Sequence, residues 1–223
     1  MSSDRLVNFD FCGGISHQPT MVSLSNWLLT QKRMPREDAL HWNARYTERL
    51  DKKEIGEPRP FLTENARYLP SAGLGLDIAM GLGNNAHFLI SRGLQVIGID
   101  ISEVGVRASK EKSPNLLGVV ADLAHFYLPE NTFDVILNFF YLQRNLWSDY
   151  VRALRPGGVL YFETMTDKML SANPDINSNH ILATGELKTA FFALETLVYE
   201  EVSIEEKGSI TFATQQLIAR KPS

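Results

Sequence analysis

The sequence predicts an α/β protein: a mostly parallel seven-stranded sheet with helices on both faces and a C-terminal antiparallel β-hairpin. Three observations predict it. From Leu74 onward, short and nearly continuous apolar runs alternate with helical segments, as expected of parallel strands covered on both faces. The first three of these runs each deliver an aspartate at or near their carboxyl end, namely Asp77, Asp100 and Asp122. The last two β-rich runs are joined by only Glu205–Glu206–Lys207–Gly208, too short for a crossover helix, so they pair antiparallel.

The elements follow in order. Residues 1–35 have a weak pattern, with a Gly13–Gly14 break and a modest apolar stretch from Met21 to Leu29. They read as an N-terminal extension, helical or mobile, ahead of a domain over 36–223 that opens with a helical cover. Glu37 to Leu50 reads as a helix that places Trp42 and Tyr46 four residues apart on one face. Pro58–Arg59–Pro60 breaks the pattern, and Phe61 to Leu69 reads as a second helix closed by Pro70. Leu74 to Met80 is the first strand. A glycine-containing turn leads to a helix from Asn84 to Arg92, ended by Gly93. Gln95 to Ile99 is a strand and Glu103 to Lys112 a helix. Leu116 to Ala121, Phe133 to Phe139 and Val159 to Thr164 supply three more strands. Trp147 to Leu154 reads as a helix stopped by Arg155–Pro156–Gly157–Gly158. The polar segment Thr166 to His180 fits a substrate lid and a mobile connector equally. A helix near Gly185 to Phe192 precedes the hairpin strands Leu194–Ile204 and Ser209–Ala219.

Composition narrows the function classes. With 44% hydrophobic and 22% charged residues in 223, the chain can bury a core without disulfides, and disorder is excluded. The net charge of −4 argues against a broad grip on nucleic acid. The single cysteine, Cys12, has no partner for an internal disulfide. His17, His41, His87, His125 and His180 have no spacing that suggests a shared metal, so no metal site is expected. Val135 to Leu142, the best apolar run, is too short for a membrane span and contains Asn138. With neither a signal core nor a transit pattern at the start, the expected location is cytoplasmic.

The first strand runs through Asp77–Ile78–Ala79–Met80–Gly81–Leu82–Gly83 into a helix start. Glycines there admit a ligand close to the backbone, and free helix amides favour a polar or anionic group. Asp100 follows Gly83 by 17 residues at the tip of the second strand, placed to accept hydrogen bonds from ribose hydroxyls. It also fits a helix cap before Ile101 and Ser102. The loop satisfies the dinucleotide pattern with alanine last, so NAD or NADP must be weighed against S-adenosyl-L-methionine. Three features favour the latter. Asp77 could reach an ammonium, Asp122–Leu123 suits an adenine amine and face, and the sheet ends in an antiparallel hairpin. No tyrosine is followed four residues later by lysine, as a short-chain dehydrogenase requires.

On these residues the stretch from Trp42 to Ala219 resembles a class I S-adenosylmethionine-dependent methyltransferase with a Rossmann-like sheet. Its flavour is that of the small-molecule branch with the tellurite-resistance and thiopurine enzymes. The resemblance makes Asp77, Ala79, Gly81 and Gly83 the nucleotide loop, Asp100 the ribose acid and Asp122–Leu123 the adenine pair. Trp42 and Tyr46 lie on a covering helix; Ile101 and Asn138 complete the implied cofactor set. Ala79 departs from the family's usual glycine. The implied reaction is in-line methyl transfer to an acceptor that the compact, acidic chain suggests is a small molecule, with neither nucleic acid nor membrane as partner.

No catalytic residue is assigned. Tyr141 and Arg144 follow the fourth strand, near any acceptor; Arg144 fits an anionic substrate or the cofactor's carboxylate and a surface salt bridge equally, and Glu163, which ends the fifth strand, is a candidate base. Asn138–Phe139–Phe140–Tyr141 stands where amino-group methyltransferases carry Asn-Pro-Pro-Tyr, and the missing prolines argue against that chemistry. Two other readings stay open: a nicotinamide-dependent oxidoreductase, and a non-catalytic S-adenosylmethionine-binding protein.

Overall fold

A computed structural model describes residues 36–206 and 209–223. The expected extension over 1–35, with Cys12 and His17, lies outside the described residues, as does the side chain of His125.

Seven strands form one sheet: β1 (Leu74–Ile78), β2 (Gln95–Asp100), β3 (Leu117–Val120), β4 (Phe133–Phe139), β5 (Leu154–Met165), β6 (Glu195–Glu206) and β7 (Ser209–Arg220). Their order is β3-β2-β1-β4-β5-β7-β6. The first five are parallel and β7 pairs antiparallel with both β5 and β6. The expected sheet and hairpin are therefore both present. The order reverses between β1 and β4, the place where open sheets of this kind take ligands at their carboxyl ends.

Alternation along the strands divides the core into two layers. Leu76, Ile78, Ile136, Leu160 and Phe162 face one side, against Leu146, Tyr150, Leu187 and Phe191. Those partners come from α5 (Trp147–Ala153), α6 (Glu186–Ala190) and the turns beside them. Val96, Val135, Leu137 and Tyr161 face the other side, against Phe61, Leu62, Ala86, Leu89 and Val106. These belong to α2 (Pro60–Glu64), α3 (Asn84–Ser91) and α4 (Glu103–Lys112). The remaining helix, α1 (Arg36–Asp51), docks on α4. Its Asn43 Oδ1 accepts from the Ser102 hydroxyl at 2.6 Å and the Val104 amide at 3.2 Å, which ties α1 to the cap of α4.

Two local expectations are corrected. The Phe61–Leu69 helix is instead α2 plus a 3-10 turn, Ala66–Tyr68, split at Asn65. There the Asn65 side-chain amide donates back to the Phe61 carbonyl at 3.0 Å, a local bond that competes with continued helix. Arg155–Gly158 does not stand outside the sheet: β5 begins at Leu154, and these residues form an irregularity between the pairs Phe133–Leu154 and Val135–Val159. The segment expected as lid or connector contains two 3-10 turns, Asp167–Ser171 and Ser178–His180, and pairs back through a Thr166–Leu182 bridge.

Candidate functional site

Three acidic side chains lie at the carboxyl ends of three adjacent strands. Asp77 is in β1, Asp100 ends β2, and Asp122 follows β3; all are buried. The loop after β1 is wound tightly enough that Ala79, Gly81 and Gly83 all take positive φ, at 51°, 58° and 72°. Its amides are used within the site. Met80 donates to the Ile99 carbonyl at 3.0 Å, Gly83 to the Met80 carbonyl at 2.9 Å, and Gly81 to Asp100 Oδ2 at 2.8 Å.

Gly81 is required twice over. It needs a left-handed backbone, and a Cβ there would stand 2.8 Å from the Tyr46 hydroxyl. Tyr46 of α1 thus lies directly over the loop. It stacks on Trp42, with ring centroids 5.7 Å apart. Burial, reinforced by Asp100, pushes the Tyr46 phenol well above its ordinary value, so it stays protonated.

Ala79 occupies the same left-handed region with a Cβ, at a cost of about 1–2 kcal/mol. Ala79→Gly should relieve it. After the greater chain entropy of glycine is subtracted, roughly 0.5–1 kcal/mol of added stability is expected in urea denaturation. A destabilised variant would mean that the alanine methyl is held by packing that outweighs the backbone.

The three acids are not equivalent. Asp100 accepts from the Gly81 and Ser102 amides, each at 2.8 Å, and also from Ile101. A carboxylate has about four acceptor sites, so one direction remains. Asp77 Oδ2 and Asp122 Oδ2 are buried with no hydrogen-bond partner among the described residues. The other oxygen of Asp122 caps a 3-10 turn by accepting from Ala124 at 2.9 Å. Burial drives the Asp77 carboxyl up to about 8; the Ala86 amide pulls it back, and Asp100 pushes it further up. Burial also raises Asp100, against the pull of its amide donors. Buried carboxylate oxygens without a hydrogen bond are costly, so the Oδ2 atoms of Asp77 and Asp122, at the strands either side of Asp100, are suited to a donor or a cation.

The other sequence-derived residues divide. Leu123 is buried beside Asp122, and Ile101 contributes its amide to Asp100. Asn138, at the end of β4, donates one amide N–H to the Tyr141 carbonyl at 2.7 Å and its oxygen accepts from the Tyr150 hydroxyl at 3.0 Å. Tyr141 is half-buried, and burial with Asp122 and Asp100 nearby keeps its phenol protonated. Arg144 is bound to Glu186 and to the Ile181 carbonyl at 2.9 Å, so it anchors the segment before α6. Glu163 is 1% exposed and already accepts from Arg59, Gln216 and Thr214. Among the described residues, no cluster of three or more metal-ligating side chains occurs.

Residues missed by sequence reasoning cluster around Glu163 and the end of β4. Arg59 grips Glu163 through Nε at 3.2 Å and Nη2 at 3.3 Å, and its guanidinium lies 4.5 Å from the centre of the Phe140 ring. Phe140 in turn meets Phe212 of β7. One signal was available for Arg59: a residue before proline is pushed towards extended backbone, and Arg59 has φ −61° and ψ 130°.

One of the comparisons with known proteins spans the glycine loop and the three acids. Residues 76–162, from β1 through most of β5, match the methyltransferase domain family. A probable S-adenosylmethionine-dependent methyltransferase of Mycolicibacterium smegmatis is 31% identical over 135 residues, covering 56% of this chain and 51% of that protein. The chain therefore spans about half the length of the curated relative it matches. Among solved structures, a SAM-dependent methyltransferase from Methanosarcina mazei aligns with a TM-score of 0.61 at 17% identity, covering 75% of this chain and 99% of that one. TehB from Haemophilus influenzae aligns with a TM-score of 0.62 at 21% identity, covering 73% of this chain and 62% of that one. At these identities, the structural likenesses establish the fold.

Proposed function

We propose that this protein is a class I methyltransferase that uses S-adenosyl-L-methionine as its cofactor and methylates a small-molecule acceptor. The observation that carries the reading is the pair of unpartnered buried oxygens, Asp77 Oδ2 and Asp122 Oδ2, on either side of Asp100 in the sheet order. The cofactor offers a matching donor for each: an α-ammonium for Asp77, ribose hydroxyls for the remaining acceptor site of Asp100, and the adenine amine for Asp122. The match of residues 76–162 to the methyltransferase domain supports the same assignment.

When bound, the cofactor supplies an electrophilic methyl group on a sulfonium that is already a good leaving group. The protein's work is then to align the partners and exclude water. Gly81 and Gly83 let the loop wind tightly against Tyr46 and Ser109, and Leu123 supplies an apolar side chain beside Asp122. Tyr46 reaches the loop at Gly81 and Trp42 stacks on Tyr46, which places aromatic rings suited to a nearby cation beside the loop. Tyr141 is held neutral and offers a hydrogen bond rather than a base. A base is required only if the acceptor carries a proton in its resting form.

Thermal unfolding with S-adenosylmethionine, S-adenosylhomocysteine, NADH and NADPH tests this reading. A ligand at 100 times its Kd stabilises by about 2.7 kcal/mol. The first two ligands should each raise Tm, the nicotinamides should not, and Asp100→Ala should erase the ligand-induced increment. A shift with a nicotinamide alone would replace the methyltransferase by an oxidoreductase. Cofactor binding without turnover of any acceptor would instead leave a non-catalytic binding protein.

A further inference from the structure

We infer that Arg59 is the acceptor's anchor: it selects a small aromatic molecule bearing a carboxylate or similar planar oxyanion. The inference rests on the methyltransferase reading above and extends it to the class of acceptor.

Four observations converge on Arg59. Its guanidinium is held in place by a bidentate contact to Glu163, itself fixed by Gln216 at 2.9 Å and Thr214 at 3.4 Å. The backbone is held as well, since the Arg59 amide donates to Asn85 Oδ1 at 2.9 Å, at the start of α3 beside the glycine loop. An arginine has five N–H donors, and Glu163 engages one on Nε and one on Nη2. The two on Nη1 and the second on Nη2 meet no acceptor among the described residues, and the side chain is 34% exposed. That leaves a rigid outward edge of adjacent N–H groups with the geometry that grips a carboxylate in two places.

The fourth observation is strain. Phe140 has φ 56°, a conformation that a bulky aromatic adopts only when its surroundings force it. The forcing contacts are visible. Its amide donates to the Glu163 carbonyl at 2.8 Å, while Asn138 ties down the Tyr141 carbonyl one residue on. The result holds a phenyl ring 38% exposed, between the Arg59 guanidinium and Phe212, when burial was the cheaper fate for it. Phe140 follows β4, whose end adjoins β1 and the acid-lined loop. An oxyanion on the Arg59 edge therefore brings an attached ring against Phe140 and Phe212, next to the cofactor residues.

The test uses the full chain saturated with S-adenosylhomocysteine. Ligand-observed NMR measures binding of benzoate, phenylacetate, 3-phenylpropionate and indole-3-acetate beside their primary amides. At least one acid should bind about tenfold or more tightly than its amide. Arg59→Lys, which keeps the charge for Glu163 but lacks the fork, should reduce that preference by about ten- to hundredfold. Its S-adenosylhomocysteine-induced Tm shift should stay at the wild-type value. No preference for any acid, or one unchanged in Arg59→Lys, overturns the inference while cofactor binding stands. Failure of wild type to bind S-adenosylhomocysteine overturns the methyltransferase reading and this inference with it.

Discussion

Asp77→Asn should make the ligand-free protein more stable at neutral pH while weakening its hold on the cofactor. The folded protein keeps a proton on Asp77 until about pH 8, whereas an unfolded chain gives it up near the ordinary value of 3.8. Between those limits the folded state binds the extra proton. The contribution of Asp77 to stability is thus fully present in acid and is lost as pH rises through that window. Each pH unit removes up to ~1.4 kcal/mol. The asparagine variant has no such proton, so it should gain on wild type steadily from pH 4 to pH 8 in chemical denaturation. The cofactor's ammonium would favour the ionised acid, so binding below pH 8 should expel a proton. Calorimetry in two buffers of different ionisation enthalpy reads that proton directly. It should vanish in Asp77→Asn together with about one to two orders of magnitude in affinity. Identical pH profiles for the two proteins would remove Asp77 from this role.

Glu163→Ala should be the most damaging single truncation in the site, at about 2–4 kcal/mol. It would leave the Gln216 amide without its acceptor and Arg59 without its counter-ion, inside a strand that is otherwise closely packed. Breaking a buried pair in this way usually costs about 3–5 kcal/mol. The partial exposure of Arg59 lowers the figure. Glu163→Gln separates scaffold from base. If Glu163 orients Arg59, the glutamine variant should keep the wild-type pH dependence of methyl transfer while acceptor KM rises. Loss of the acidic limb of the pH–rate profile would instead identify Glu163 as a proton acceptor.

The sheet was legible because its signal is local and repeated. β1, β2 and β4 are apolar runs with an acid or asparagine near the end, and their Cβ alternation needs no knowledge of partners. The same applies to Asp77, Asp100 and Asp122, whose positions follow from where strands stop. What escaped was set by contacts across the chain. Arg59 and Glu163 are 104 residues apart, and nothing in the pattern around either one names the other. Phe212 sits in β7 two residues before Thr214, where the pairing with β5 ends, and meets Phe140 through that antiparallel arrangement. By its position after β4, Arg144 fits a contact to an anionic group and a surface salt bridge equally. Its partners, Glu186 and the carbonyls of Asn179 and Ile181, lie 35 to 42 residues away, and the local pattern names none of them.

The sheet order also bears on how the molecule is made. β6 has no neighbour but β7, while β7 is wedged between β6 and β5. A ribosome that has released β6 has therefore produced a strand with nowhere to dock, and its five glutamates, Glu195, Glu200, Glu201, Glu205 and Glu206, keep that waiting edge from sticking to others. Only the following strand can carry it home. The contacts of Phe212 with Phe140 and of Thr214 and Gln216 with Glu163 then form in the same event, so an intermediate halted before that point would possess the glycine loop and its acids but leave Phe140 and Glu163 without these partners.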